Sequence, residues 1–378
     1  MENKNGFENS YSKFYEYQRV ANNMDTFVYQ PKPKKRLGKF VLFIGMLLIL
    51  AGIVAYIMPL FVRNNQTGVG ENEGSWGFSV QPSDPYIRNQ YALDRINAQT
   101  AWQTTTGSSE IIVAVLDTGI DAEHPELKDR LVDGYDFVNN DSTPEDMVGH
   151  GTFVSSIIAA DGNNEEGITG LAPSVKIMPL KVMDRRGSGS NSAIARAIRY
   201  AADNGAKVIN LSLGSPYSST SVRNAITYAV DKGVVVVAAS GNEARERNPV
   251  NYPAAYSNVI SVGATGSNNR VASFSTYNQA VDLVAPGVSI LGARSGTNTM
   301  CRPYNGTAYC ASSGTSFSAP YVAAAAALVL SVNPKLSPAQ VQAVLEETAT
   351  DLGEEGKDVY YGAGLLDVAK AVERAKTI

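Results

Sequence analysis

Four nearly continuous apolar runs punctuate the middle of the chain: 111–116 (IIVAVL), 207–213 (KVINLSL), 234–239 (VVVVAA) and 259–264 (VISVGA). Runs without polar alternation predict strands covered on both faces, as in a parallel sheet. Amphipathic segments separate them. In 191–204, Ile194, Ala197, Ile198 and Ala201 recur at helical spacing; 221–232 behaves similarly and stops at Gly233. This alternation predicts an α/β fold of three layers, a mainly parallel sheet with helices on both faces.

Two further apolar stretches read as helices. From Tyr321 to Val332 the residues are almost wholly Ala, Val and Leu, which predicts a helix buried on every side. It is too short to cross a bilayer, and Pro320 is expected in its first turn, where a missing N–H costs little. Residues 40–62 (FVLFIGMLLILAGIVAYIMPLFV) carry no charge and as a helix would measure roughly 35 Å, enough to span a membrane.

Charge changes the picture at this segment. Lys32, Lys34, Lys35, Arg36 and Lys39 precede it and only Arg63 follows closely, which places the N-terminus in the cytoplasm and the remainder outside. A cleavable signal peptide is the alternative, although its charged region normally lies near the start and its apolar core is shorter. The expected organisation is a cytoplasmic tail (1–39), a transmembrane helix (40–62), a polar linker (63–83) and a folded domain (84–378). A charged fraction of 18% and an apolar fraction of 44% exclude gross disorder. A net charge of −4, without a basic stripe in the domain, argues against nucleic acid as a partner.

The candidate chemistry sits at the ends of the predicted elements. Asp117 follows the first strand, where open α/β sheets place their sites. His150 stands between Gly149 and Gly151 before an apolar helical run (153–160), and the only other histidine is His124. Ser316 lies in GTSFSAP (314–320), at the positive end of the buried helix, where developing negative charge is favoured. Each has a bland reading: a turn acid, a core histidine, a helix cap. Together they supply what a serine nucleophile needs, a base within reach and a carboxylate to orient that base. Asn242 follows a valine strand and offers an amide for an oxyanion, a donor worth roughly 2.7–4 kcal/mol in the transition state.

Asp117-Thr118-Gly119, Gly149-His150-Gly151-Thr152, Gly241-Asn242 and Gly314-Thr315-Ser316 together resemble the four signature blocks of the subtilisin-like serine peptidases, the subtilases. The likeness spans about Asp84 to Val372 and is closest to the thermitase-like bacterial members. It implies a serine endopeptidase acting on peptide or protein substrates, with Asp117, His150 and Ser316 as the triad and Asn242 as the oxyanion donor. It further implies a cleft walled by Ser212-Leu213-Gly214 and by Gly187-Ser188-Gly189, completed by Ala239 and Gly241. Asn251 would floor the primary specificity pocket, polar but uncharged. Calcium is implied as a structural cofactor at Asp84, Glu126 and Asn164, with Glu at 126 where Asp is usual. A second site is implied at Asp136, Asn139, Asp141, Thr143 and Glu145.

Three departures from the family pattern stand out. Phe317 replaces the usual oxidisable Met after the nucleophile, and Phe153 replaces a second His. Residues 63–83 leave little room for a folding propeptide, so the domain folds unaided or the linker is trimmed. Cys301 and Cys310 are either a disulfide, worth roughly 2.5–3 kcal/mol outside the cytoplasm, or two thiols. Two rival functions remain at this point. One is a non-catalytic subtilase-like module that binds peptides. The other is an α/β-hydrolase esterase, whose Ser…Asp…His order is the reverse of the order here. Oligomeric state is not legible.

Overall fold

The computed structural model describes residues 83–378; the tail, the apolar segment and the linker up to 82 lie outside the described residues. β1 (Ile112–Asp117) is the strand about which the sheet reverses direction. The chain first builds to one side of it with β2 (Tyr135–Asp136) and β3 (Lys176–Lys181), then to the other with β4 (Val208–Leu211), β5 (Val235–Ala239), β6 (Ile260–Thr265) and β7 (Leu283–Pro286). The order is β2-β3-β1-β4-β5-β6-β7 and every pairing is parallel. Asp117 therefore ends a strand at the topological switch point, where the flanking connections diverge and leave a crevice.

Alternate residues of the strands feed two cores. Val113, Val115, Val235, Val237 and Ala239 face one; Ala114, Leu116, Val236 and Ala238 face the other. Such double burial is why these runs lack polar alternation, each fully buried Val or Leu contributing roughly 1.5–3 kcal/mol. The first core includes residues of α1 (Tyr91–Arg95), α2 (Ala98–Trp102) and α3 (His150–Ala159). The second is closed by α4 (Asn191–Asp203) and α5 (Thr220–Asp231), capped by Ser190 and Ser219. The first is completed by α6 (Thr315–Val332), α7 (Pro338–Thr348) and α8 (Val368–Ala375). The expected three layers are present.

Two helix starts differ from expectation. α3 begins at His150 rather than three residues later, because Gly149 takes a positive φ of 99° and turns the chain into the helix. α6 begins at Thr315, so Ser316 lies inside the helix and Pro320 falls in the second turn. The missing Pro320 N–H leaves the Ser316 carbonyl without its intrahelical donor. Ser212 Oγ donates to that carbonyl instead, at 2.8 Å. α6 is apolar and long enough to be mistaken for a membrane span, yet 89% of it is buried, as expected of a core helix.

An antiparallel hairpin, β8 (Ile290–Ala293) and β9 (Tyr309–Ser312), leads into α6. Cys301 and Cys310 are disulfide-bonded within it, with Cα atoms 6.0 Å apart.

Candidate active site

The first contact of the site joins the end of β1 to the start of α3. Asp117 Oδ1 lies 2.7 Å from His150 Nδ1, with the two side chains 1% and 0% exposed. Thr118 N–H donates to the same oxygen at 2.7 Å. A carboxylate at Nδ1 fixes that nitrogen as the donor and leaves Nε2 as the basic one. The approach needs Gly151: a Cβ there would meet the Gly119 carbonyl at 2.1 Å. Gly151 thus lets the helix close on the Asp117 loop, a more specific task than leaving room around the ring, whereas a Cβ on Gly149 would meet Asn298.

Ser316 enters from α6. Its Oγ donates to the Ser212 carbonyl at 3.2 Å, while Ser212 Oγ donates to the Ser316 carbonyl, so helix and strand end are bonded in both directions. Asn210 Nδ2 steadies Ser212 Oγ at 2.9 Å. Phe317, the next residue, packs its ring 5.4 Å from that of His150 and 4.6 Å from that of Phe153. Both aromatic departures from the family pattern therefore lie in one apolar column behind the histidine.

Asn242 is held in one orientation. Its Oδ1 accepts from Thr315 N–H at 2.9 Å and from Thr315 Oγ at 3.0 Å. Its Nδ2 is buried and has no hydrogen-bond partner. An unsatisfied buried amide costs about 1–3 kcal/mol. Beside the N-terminus of α6, that donor is available to an incoming oxyanion. Thr315, which sequence reasoning passed over, is the residue that aims it.

The cleft residues follow strands on either side of β1. Gly187-Ser188-Gly189 lie after β3, where Asp184 accepts from the Arg186 and Ser188 N–H groups and Gly189 bridges back to Met183. Ser212-Leu213-Gly214 lie after β4, beyond a strand shorter than its apolar run. Ala239 ends β5, and Gly241 leads into Asn242. Asn251 is buried beneath them, but its setting is not uncharged. Its Nδ2 donates to Glu243 Oε2 at 2.9 Å, and Asn242 N–H donates to the same oxygen. Burial pushes the Glu243 carboxyl above the usual carboxylate range. Its position directly after Asn242 was the available signal.

The two calcium groupings fare differently. Asp84 and Glu126 are buried, 2% and 0% exposed, and Asn164 Nδ2 lies 3.5 Å from Glu126 Oε2. Glu126 also accepts from Tyr309 O–H at 2.8 Å and Ile168 N–H at 2.9 Å; Asp84 accepts from Asn163 and Asn164 N–H. Burial raises both carboxyls, Glu126 to about 7, with the Asp84 charge adding to the shift at Glu126. Among the described residues neither carboxylate is paired with Lys or Arg. Two desolvated carboxylates and a carboxamide fit a hard cation, provided that carbonyls supply the remaining oxygens. No group of three or more acidic, His or Cys side chains among the described residues could hold a metal alone.

Asp136, Asn139, Asp141, Thr143 and Glu145 do line one cleft, of about 490 Å³, together with Lys181, Asp184, Arg185 and Arg186. Asp136, however, already accepts from Val138 N–H, Asn139 N–H and Asn139 Nδ2. Asp84 accepts backbone N–H groups likewise, so what sets this grouping apart from the first is its cationic neighbours, Lys181, Arg185 and Arg186, which disfavour a cation there. His124, the other histidine, is structural: it is 4% exposed, and its Nε2 lies 3.1 Å from the Ala308 carbonyl.

Comparison with known proteins agrees with this geometry. Residues 108–364 match the subtilase family. Thermitase from Thermoactinomyces vulgaris is 42% identical over 293 residues, 77% of this chain and 99% of its own length. A thermophilic serine proteinase from Bacillus sp. (strain AK1) is 44% identical over 302 residues, 79% and 72%. A solved protease from Pseudoalteromonas arctica PAMC 21717 superimposes with a TM-score of 0.71 at 31% identity, covering 78% of this chain and 99% of its own. The chain belongs to the subtilase family and is a subtilisin-like serine endopeptidase, which disposes of the esterase alternative.

Proposed function

We propose that this peptidase is held in the cell membrane by residues 40–62, with its catalytic domain on the outer side, and hydrolyses peptide bonds through Asp117, His150 and Ser316. The basic cluster before the apolar segment supports the placement, and the disulfide is consistent with an oxidising compartment. His150 Nε2 takes the Ser316 hydroxyl proton as Oγ attacks the scissile carbonyl. Asp117 stabilises the resulting imidazolium through Nδ1. Asn242 Nδ2 and the Ser316 N–H receive the oxyanion. His150 returns the proton to the leaving amine, and water then hydrolyses the acyl-enzyme by the same steps.

The extended substrate would lie between 187–189 and 212–214, pairing with their backbone. The side chain before the scissile bond would enter above Asn251 and Glu243. Calcium would be held by Asp84, Glu126 and Asn164. Its contribution there is neutralisation of two buried carboxylates, a structural role.

The observation that carries catalysis over mere peptide binding is the unpartnered Asn242 Nδ2, oriented by Thr315. A binding module has no use for a buried donor left unsatisfied. In steady-state cleavage of a peptide amide, Asn242→Ala should lower kcat by about 10²–10³ with little change in KM, the magnitude known for this family's oxyanion amide. An unchanged kcat would remove Asn242 from the mechanism.

A further inference from the structure

Asp146 and Lys181 are buried charges, 1% and 4% exposed, to which the mechanism above gives no role. Both act on Thr118, the residue after the catalytic aspartate. Asp146 Oδ1 accepts from Thr118 Oγ at 2.8 Å, and Thr118 Oγ in turn accepts from Gly151 N–H at 3.0 Å. On the other side, Lys181 Nζ donates to the Thr118 carbonyl at 3.0 Å and to the Glu145 carbonyl at 2.5 Å. Lys181 is also the β3 residue opposite Asp117 in the sheet.

Asp146 also binds the backbone on either side of the histidine. Oδ1 accepts from Val148 and Gly149 N–H at 3.0 and 2.7 Å; Oδ2 accepts from Thr152 N–H and Thr152 Oγ at 2.9 and 2.7 Å. One carboxylate thus binds the turn before His150, the first turn of its helix and the loop that carries Asp117. Its negative charge suits the N-terminus of α3.

We propose that Asp146 and Lys181 are positioning residues, opposite charges that clamp Thr118 from its side chain and its carbonyl and so hold Asp117 Oδ1 against His150 Nδ1. The path is short: Thr118 N–H is bonded to the very oxygen that faces the imidazole. Burying two charges is costly, and apolar residues of similar volume would serve packing alone at less expense. The carboxylate cannot be replaced by its amide. In either orientation Asn would turn an NH₂ toward at least one backbone N–H, that of Thr152 or those of Val148 and Gly149.

The inference rests on the triad assignment above, so the test includes Ser316→Ala. Asp146→Asn, Thr118→Val, Thr118→Ser, Lys181→Met and Lys181→Arg are compared as intact full-length chains. The readouts are kcat and KM on a peptide amide, circular dichroism, and the low-field proton resonance of His150 Nδ1–H. Asp146→Asn should lower kcat about 10²-fold, with KM within about threefold and the low-field resonance shifted or lost. Thr118→Val should fall in the same direction and Thr118→Ser should recover it. Lys181→Arg should retain more kcat than Lys181→Met. Should Asp146→Asn fail to fold, the Thr118 pair decides. If folded Asp146→Asn or Thr118→Val keeps wild-type kcat and resonance while Ser316→Ala is inactive, the clamp is overturned and the triad stands. An active Ser316→Ala would overturn the triad reading, and the clamp with it.

Discussion

Glu243 shows how one residue can alter what a pocket recognises. Asn251 by itself reads as a neutral floor, yet it donates to the Glu243 carboxylate, whose titration is moved upward by burial. Ionisation therefore occurs above the ordinary carboxylate range, and the pocket gains negative charge as pH rises through it. For substrates with Lys against a neutral residue before the scissile bond, the kcat/KM ratio should climb across that interval and stay flat in Glu243→Gln; equal profiles would remove Glu243 from the pocket. The sign for stability is opposite. An acid with a raised folded pKa ionises first in the unfolded chain, so stability declines as pH rises between the two values. Asp117, His150, Ser316 and Asn242 were legible because each sits in a glycine-flanked block at an element end. Thr315, Asp146 and Lys181 were not. The bonds of Thr315 to Asn242, of Lys181 to Thr118 and of Asp146 to Thr118 join residues at least 28 apart in sequence, and no run that hydropathy marks as a strand contains Lys181.

Among the elements, β1, β4, β5 and β6 were readable because burial on both faces strips them of polar alternation; β2, only two residues long, β3, with Lys at each end and Pro179 between, and β7 were not. The helix starts were not, since Gly149 and Pro320 act through backbone geometry that hydropathy does not register. Pro320 in α6 is the instructive case. Its absent N–H frees the Ser316 carbonyl for Ser212 Oγ, coupling the nucleophile's helix to the end of β4. Pro320→Ala restores a competing N–H. We expect folding stability near wild type by thermal denaturation but a reduced kcat, as Ser212 loses its hold on Ser316. An unchanged kcat would make the proline a matter of packing only. The disulfide pairing was left open by sequence, because separation along the chain does not reveal Cα distance; the hairpin brings the cysteines to 6.0 Å.

For the whole molecule, two quantities decide the account: what the domain requires to stay folded and where it works. If calcium neutralises Asp84 and Glu126, chelation should lower the melting temperature by several degrees. A ligand at roughly a hundredfold its Kd contributes about 2.7 kcal/mol. Identical melting in calcium and in chelator would contradict the site. The family and its three layers were legible because four spaced motifs agree with the strand and helix pattern; the membrane placement rests on the apolar run and its basic flank, outside the described residues. The most direct test labels the membrane fraction with a fluorophosphonate serine-hydrolase probe, comparing wild type with Ser316→Ala. The account predicts a labelled band at full-length mass in the wild type alone. Absence of label on folded wild-type protein, or equal labelling of Ser316→Ala, would contradict it.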